Sequence, residues 1–413
     1  MGTGGSSGSS DGGSSAPWWP YKNEHSCQSA GVPSPTDRPA ADDPGASLPP
    51  LYMVLSAIRL GTANDDEALT PNANAWRDIG FDLDKRCTTS STCEDALQEP
   101  IHEVACKHPS TQIPYDGNQC RDNELSKLFR LASSSPSIGI WFGMTEADWN
   151  CELHRGGFGN MIKISDYNGK KNDRQVRLDM YATLGLQQLP TWTCRNRIED
   201  PLATNWSSRV SWRADEHWKI ASSSISLSAP DAGSELPDAK VYDPAAFVRN
   251  GYLFAKLPDG SEFGLNGTNT RIPGFGVFLY RGVMVGELIK EIDGTWSIDH
   301  GTIGGVVRPD QLLQSFEAMG FCDNLCTSYD QVKDYLNTYR DALTSTADIL
   351  PETPCDGLSF GEEFKARQST AGKQDIESAP PGMNCPQPRH PDAPRQGCIC
   401  PVGGGRCELD GGS

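Results

Sequence analysis

Phe158-Gly-Asn-Met-Ile-Lys-Ile-Ser-Asp-Tyr-Asn-Gly-Lys-Lys-Asn-Asp-Arg-Gln-Val-Arg-Leu-Asp-Met-Tyr-Ala-Thr-Leu184 is the stretch that decides the fold class. Ile162 and Ile164 alternate with Lys163 and Ser165. Val176, Leu178 and Met180 alternate with Arg177, Asp179 and Tyr181. Period-two alternation marks strands with one dry and one wet face. Asn168-Gly169 and the polar run to Asp173 supply turn chemistry between them. The stretch predicts a β-hairpin whose dry face needs a second layer.

Working outward, the same signal recurs. Leu51 to Leu60 is an apolar run of strand length. Ser137 to Phe142 reads as a strand, and Ser211 to Ile220 as a strand pair or an irregular crossover. Gly251 to Leu257, the turn Pro258-Asp259-Gly260, and Ser261 to Leu265 read as strand, turn, strand. Gly276–Tyr280, Val283–Ile289 and Thr295–Ile298 continue the meander. Helices are expected from Glu124 to Ala132, capped by Asp122 or Asn123, after Pro309, and after Ser328. The fold class is therefore mainly β: an antiparallel β-sandwich or jelly roll with a few peripheral helices and disulfide-rich loops. Residues 1–50 read as a flexible Gly/Ser/Pro-rich tether, 51–350 as the β body with two closing helices, and 351–413 as a Cys/Pro/Gly-rich tail pinned by disulfides.

The net charge is −18, which argues against nucleic acid as a partner, because phosphate binding needs a basic surface. The 14 cysteines include no Cys-x-x-Cys pair, so up to seven disulfides in an oxidising compartment is the economical account. No stretch approaches the roughly 18 apolar residues of a membrane-spanning helix. The Gly/Ser-rich start resembles a mature secreted chain trimmed of its leader.

Two constellations carry candidate chemistry. The first is a pair of loops, Gly80-Phe-Asp-Leu-Asp-Lys85 and Asp116-Gly-Asn-Gln-Cys-Arg-Asp-Asn123. Asp82, Asp84, Asp116, Asn118, Asp122 and Asn123 offer the oxygens that calcium collects, about six to eight per ion. Cys87, Cys93, Cys106 and Cys120 are placed to hold these loops together. The second is an aromatic and polar set: Trp141, Trp149, Tyr167, Trp192, Trp206, Trp212 and Trp218, a candidate platform for stacking sugars. Trp18 and Trp19 read either as residues that dock on the core or as an aromatic handle for a partner. His154, His217 and His300 fall in segments read as loops, each a candidate general base. His-Glu-x-x-His, Gly-x-Ser-x-Gly and the phosphate loop are all absent, and Thr302-Ile-Gly-Gly-Val306 lacks the phosphate loop's lysine.

Gly80-Phe-Asp-Leu-Asp84, Asp116-Gly-Asn with Asp122-Asn123, Gly301-Thr-Ile-Gly-Gly-Val306 and Cys355-Asp-Gly-Leu-Ser-Phe-Gly-Glu-Glu-Phe364 resemble a group of uncharacterised secreted lipoproteins of myxobacteria. The resemblance runs from Leu51 to about Ala366. It implies an extracytoplasmic location (outer membrane surface, periplasm or medium) and a lipid anchor on a cysteine where Met1 stands here. In outline the fold expected resembles concanavalin A-like lectin domains. The function expected is a surface or secreted binding protein that recognises a glycan or an extracellular protein, with calcium assisting. A polysaccharide hydrolase using paired carboxylates and a structural component of a surface assembly are the alternatives.

Overall fold

The structure is a computed structural model. It describes residues 21–22, 28–65, 69–89, 101–102, 105–111, 114–134, 146–157, 159–188, 212–226, 236–265, 275–318, 321, 327–345 and 352–375. One sheet dominates it. Its strands are β1 (Leu51–Arg59), β2 (Gly159–Ser165), β3 (Asp173–Leu186), β4 (His217–Ala221), β5 (Val241–Arg249), β6 (Tyr252–Lys256), β7 (Ser261–Leu265), β8 (Phe275–Lys290), β9 (Trp296–Val307), β10 (Leu358–Gln368) and β11 (Thr370–Asp375). Among the described residues four α-helices accompany it: α1 (Glu124–Ser134), α2 (Glu146–Arg155), α3 (Pro309–Ala318) and α4 (Thr327–Thr338).

The central stretch forms the predicted hairpin, with Met161 opposite Tyr181, Ile162 opposite Met180 and Ile164 opposite Leu178. β3 is 14 residues long, and its length closes the sheet. One edge of β3 pairs with β2. The other edge pairs with β5 from Asp173 to Met180, then with β4 at Thr183 and Leu186. The strands therefore run β3-β2-β1-β10-β9-β8-β6-β5 and back to β3. This is an eight-stranded antiparallel barrel, not the sandwich or jelly roll expected. The alternation of dry and wet faces is the same in both architectures. Only the length of β3 and its two partners choose between them. Eight strands leave an interior that side chains just fill, here with Met53, Leu55, Ile162, Leu178, Leu253, Leu279, Ile303 and Phe360.

Three further readings change. The face of the hairpin expected to be wet is covered: Met161 and Tyr181 pack with Val54, Trp218 and Ile220 in an apolar layer outside the barrel. β6 and β7 do not pair with each other across Pro258-Asp-Gly260. Both lie end to end along β8, Lys256 opposite Val283 and Ser261 opposite Leu279. β8 is one strand of 16 residues that bends where Arg281 adopts φ 53°, so the two strands read on either side of that residue are continuous.

Leu358–Gln368, within the segment expected to be a tail, pairs with β9 and β1 as a barrel strand. Disulfides join Cys87 to Cys120 and Cys106 to Cys355, and no free cysteine occurs among the described residues. The helices lay Leu125 and Leu128, Leu153, Leu312 and Phe316, and Val332 and Leu336 into the same apolar cluster as the barrel interior. Such stripes follow from apolar residues spaced three and four apart. No helix among the described residues is long and apolar enough to cross a membrane.

Candidate metal centre

The Gly80–Lys85 and Asp116–Asn123 segments lie on the outer wall of the barrel. Phe81 and Leu83 anchor them in an apolar layer with Phe247, Phe254, Val283, Val285 and Val306. Close approach needs glycine opposite. A β-carbon on Gly304 would sit 2.6 Å from the Phe81 ring, and one on Gly361 would sit 2.5 Å from the Gly80 Cα. The Gly-rich stretch Thr302–Val306 thus has a structural use in β9: it seats Phe81. Backbone pairing then fixes the register, with Asp122 N–H donating to Phe81 O at 2.9 Å and Asp82 N–H donating to Ala30 O at 3.0 Å. The Cys87–Cys120 disulfide ties one segment to the other.

This packing brings Asp82, Asp84 and Asp122 together, with a carboxylate oxygen of each within 4.8 Å of the others. Asp82 and Asp122 are buried; Asp84 and Asp116 are half-buried. Asp122 Oδ2 accepts from the N–H groups of Leu83 (2.7 Å) and Asp84 (3.3 Å). Asp82 accepts from the Ser29 hydroxyl, Asp84 from Arg86 N–H at 2.7 Å, and Asp116 from Thr88 N–H at 2.5 Å.

Burial pushes the Asp122 carboxyl well above the usual range, and the charges of Asp84, Asp116 and Asp82 push it further. Asp116 is raised in the same way, by burial first and by Asp84 next. Asp84 is raised by burial, which Arg86 N–H and the Arg281 charge offset only in part. Arg281 is half-buried beside the cluster and acts on Asp84 together with Arg86. It donates to Leu83 O and to Leu343 O, and burial pulls its own pKa down. Two guanidinium charges, from Arg281 and the exposed Arg86, face four carboxylates. The remainder is met by protons or by a cation, and an all-oxygen donor set suits a hard divalent ion such as calcium.

The other predicted ligands are engaged elsewhere. Asn118 is exposed and donates to Asp78 Oδ1 at 2.7 Å. Asn123 accepts from Ser126 Oγ and from Gly361 N–H, and donates to Ile79 O, so it ties the start of α1 to β10.

The aromatic set is likewise dispersed. Trp218 and Tyr167 are 0% and 2% exposed, and Trp149 is buried in the barrel cluster, so none presents a ring face to a sugar. Trp212 is half-buried and stacks on Trp218 at 6.0 Å. Trp141, Trp192 and Trp206 lie outside the described residues, as do Trp18, Trp19, Cys93 and the strand expected at 137–142. His154, His217 and His300 belong to α2, β4 and β9 rather than to loops.

Sequence reading missed Arg281, which lies where a break between two strands was expected, and Asp341. Burial and Glu124 push the Asp341 carboxyl up to about 7, while Ser359 N–H and Oγ–H donate to it. No sequence signal links either residue to the loops.

Comparison with known proteins finds no family model, no curated relative and no solved structure that matches this chain.

Proposed function

We propose that this chain is an extracytoplasmic binding protein in which calcium, held by Asp82, Asp84 and Asp122 with Asp116 nearby, fixes a loop layer on the barrel wall for recognition of an extracellular partner. The observation that carries the reading is the convergence of three carboxylates within 4.8 Å, drawn from two segments far apart in sequence and joined by a disulfide. Recognition by loops held on a rigid sheet is a common division of labour. Tyr115, 43% exposed, stands beside Asp116 as an aromatic contact for that partner. The resemblance to secreted myxobacterial lipoproteins and the disulfides support the location. The burial of Trp149, Tyr167 and Trp218 moves the recognition surface away from those rings and onto the loop layer.

Titration calorimetry of calcium into chelator-treated protein tests the reading. It predicts one saturable site that Asp82→Asn and Asp122→Asn each weaken at least tenfold. Absence of calcium heat in the folded wild type, or unchanged binding in both variants, rejects it. A glycan array read with and without chelator then sorts sugar partners from protein ones.

A further inference from the structure

β10 places a carboxyl group where the barrel interior is otherwise apolar. Leu358, Phe360, Phe364 and Ala366 all join the apolar cluster, and Glu362 stands in phase with them. Its side chain is 1% exposed, and its Oε1 has no hydrogen-bond partner. That oxygen belongs to a residue lining a cavity of about 20 Å³, whose other walls are Leu60, Phe129, Trp149, Phe263, Val277 and Phe360. Four of those six neighbours are aromatic. They come from α1, α2, β7 and β10, so the cavity is built by elements far apart in the chain.

A buried carboxyl oxygen without a donor is costly, and natural interiors rarely leave one. Aromatic faces attract cations. The charge that acts on Glu362 is also negative: it is Glu146 of α2, whose own oxygens accept from the N–H groups of Leu60, Gly61 and Thr62. Arg59, the basic residue at the end of β1, is engaged by Glu363 on the neighbouring position of β10.

We propose that this cavity is a binding site for a small ammonium ion, with Glu362 as its counter-ion and the rings of Phe129, Trp149, Phe263 and Phe360 around it. The volume sets the size: a cavity of this kind admits about one water-sized group, which limits the ligand to ammonium. Burial, and then the charge of Glu146, hold the Glu362 carboxyl well above its ordinary range, so without a counter-ion it is the neutral acid. Binding the cation transfers that proton to solvent, and affinity therefore rises with pH as long as the ligand stays protonated. The site is independent of the calcium reading, since it shares no residue with the loop cluster.

The test is thermal unfolding of the full chain, titrated at constant ionic strength with ammonium or tetramethylammonium chloride against sodium chloride. Ammonium raises the melting temperature saturably in the wild type, more at pH 8 than at pH 6, and tetramethylammonium, too large, does not. Glu362→Gln weakens the effect at least tenfold. Val277→Leu, which fills the cavity with one added methylene and keeps the charge, removes it from a folded protein. No saturable shift in the wild type, equal shifts in Glu362→Gln, or an equal response to tetramethylammonium overturns the proposal.

Discussion

Among the described residues two apolar layers cover the outer wall of the barrel, and they handle buried charge in different ways. Over β1, β2 and β3 the cover is regular: β4 pairs with β3, and Trp218 and Ile220 pack on Val54, Met161 and Tyr181. The acid buried there, Asp179, accepts from Arg177 Nε at 2.9 Å and Nη2 at 2.8 Å, a bidentate pair, and Arg177 also meets Asp238. Over β5, β6, β8 and β9 the cover is irregular. Two loops are held by Phe81, by glycine seats and by a disulfide, and they gather Asp82, Asp84, Asp116 and Asp122 near Arg281 and Arg86. A cover built from strands satisfies its own backbone and needs only local charge pairing. A cover built from loops depends on cross-links, and an ion is one more of these.

The contrast can be broken most severely at the disulfide. Cys87→Ser with Cys120→Ser frees the loop cover and is expected to cost about 2–5 kcal/mol, read by urea unfolding, and to abolish calcium binding. The β4 cover, measured by protection of β3 and β4 amides from hydrogen exchange, stays closed in that variant. Gly304→Val drives a side chain into the Phe81 ring and is expected to cost about 1–3 kcal/mol, again with loss at the loop cover first.

A pH series sharpens the comparison further. Asp341 has its folded pKa raised to about 7, so the folded state holds this proton more tightly than the unfolded chain does. Its stabilising contribution is complete below the ordinary aspartate range, near pH 4, and is lost as pH rises through 7. Chelator-treated protein should therefore become less stable between pH 4.5 and 7.5, and Asp341→Asn should flatten that slope. A stability that rises across the same window would show that the paired carboxylates, not the strained ones, dominate.

Much of the barrel was legible in the sequence because two-residue alternation is a local property. The hairpin from Phe158 to Leu184, the strand at Leu51 and the helix after Pro309 stand where the pattern puts them. Closure was not legible, because it turns on which strand meets the second edge of β3, and nothing in Val176, Leu178 or Met180 names Val241–Arg249 as the partner.

The loops announced their chemistry through Asp82-Leu-Asp84 and Asp116-Gly-Asn118, yet Asn118 bonds to Asp78 and Asn123 to Ser126 and Gly361. Arg281 carried no signal. Glu362 did carry one, as the acid in phase with Leu358, Phe360 and Phe364, but only to a reader who takes Leu358–Gln368 as a strand and not as tail. Tryptophan content was a poor guide to a surface, since Trp149 and Trp218 went to the core.

The most direct test neutralises one acid in each cover and melts both proteins with and without calcium. Asp179→Asn leaves Arg177 without its bidentate partner and is expected to lose about 2 kcal/mol equally in calcium and in chelator. Asp122→Asn relieves repulsion, so in chelator it should melt at or above the wild-type temperature, while losing the rise that calcium gives the wild type. If Asp122→Asn is as destabilising as Asp179→Asn in chelator, or if calcium still raises its melting temperature as in the wild type, then the two covers balance charge alike and the account fails.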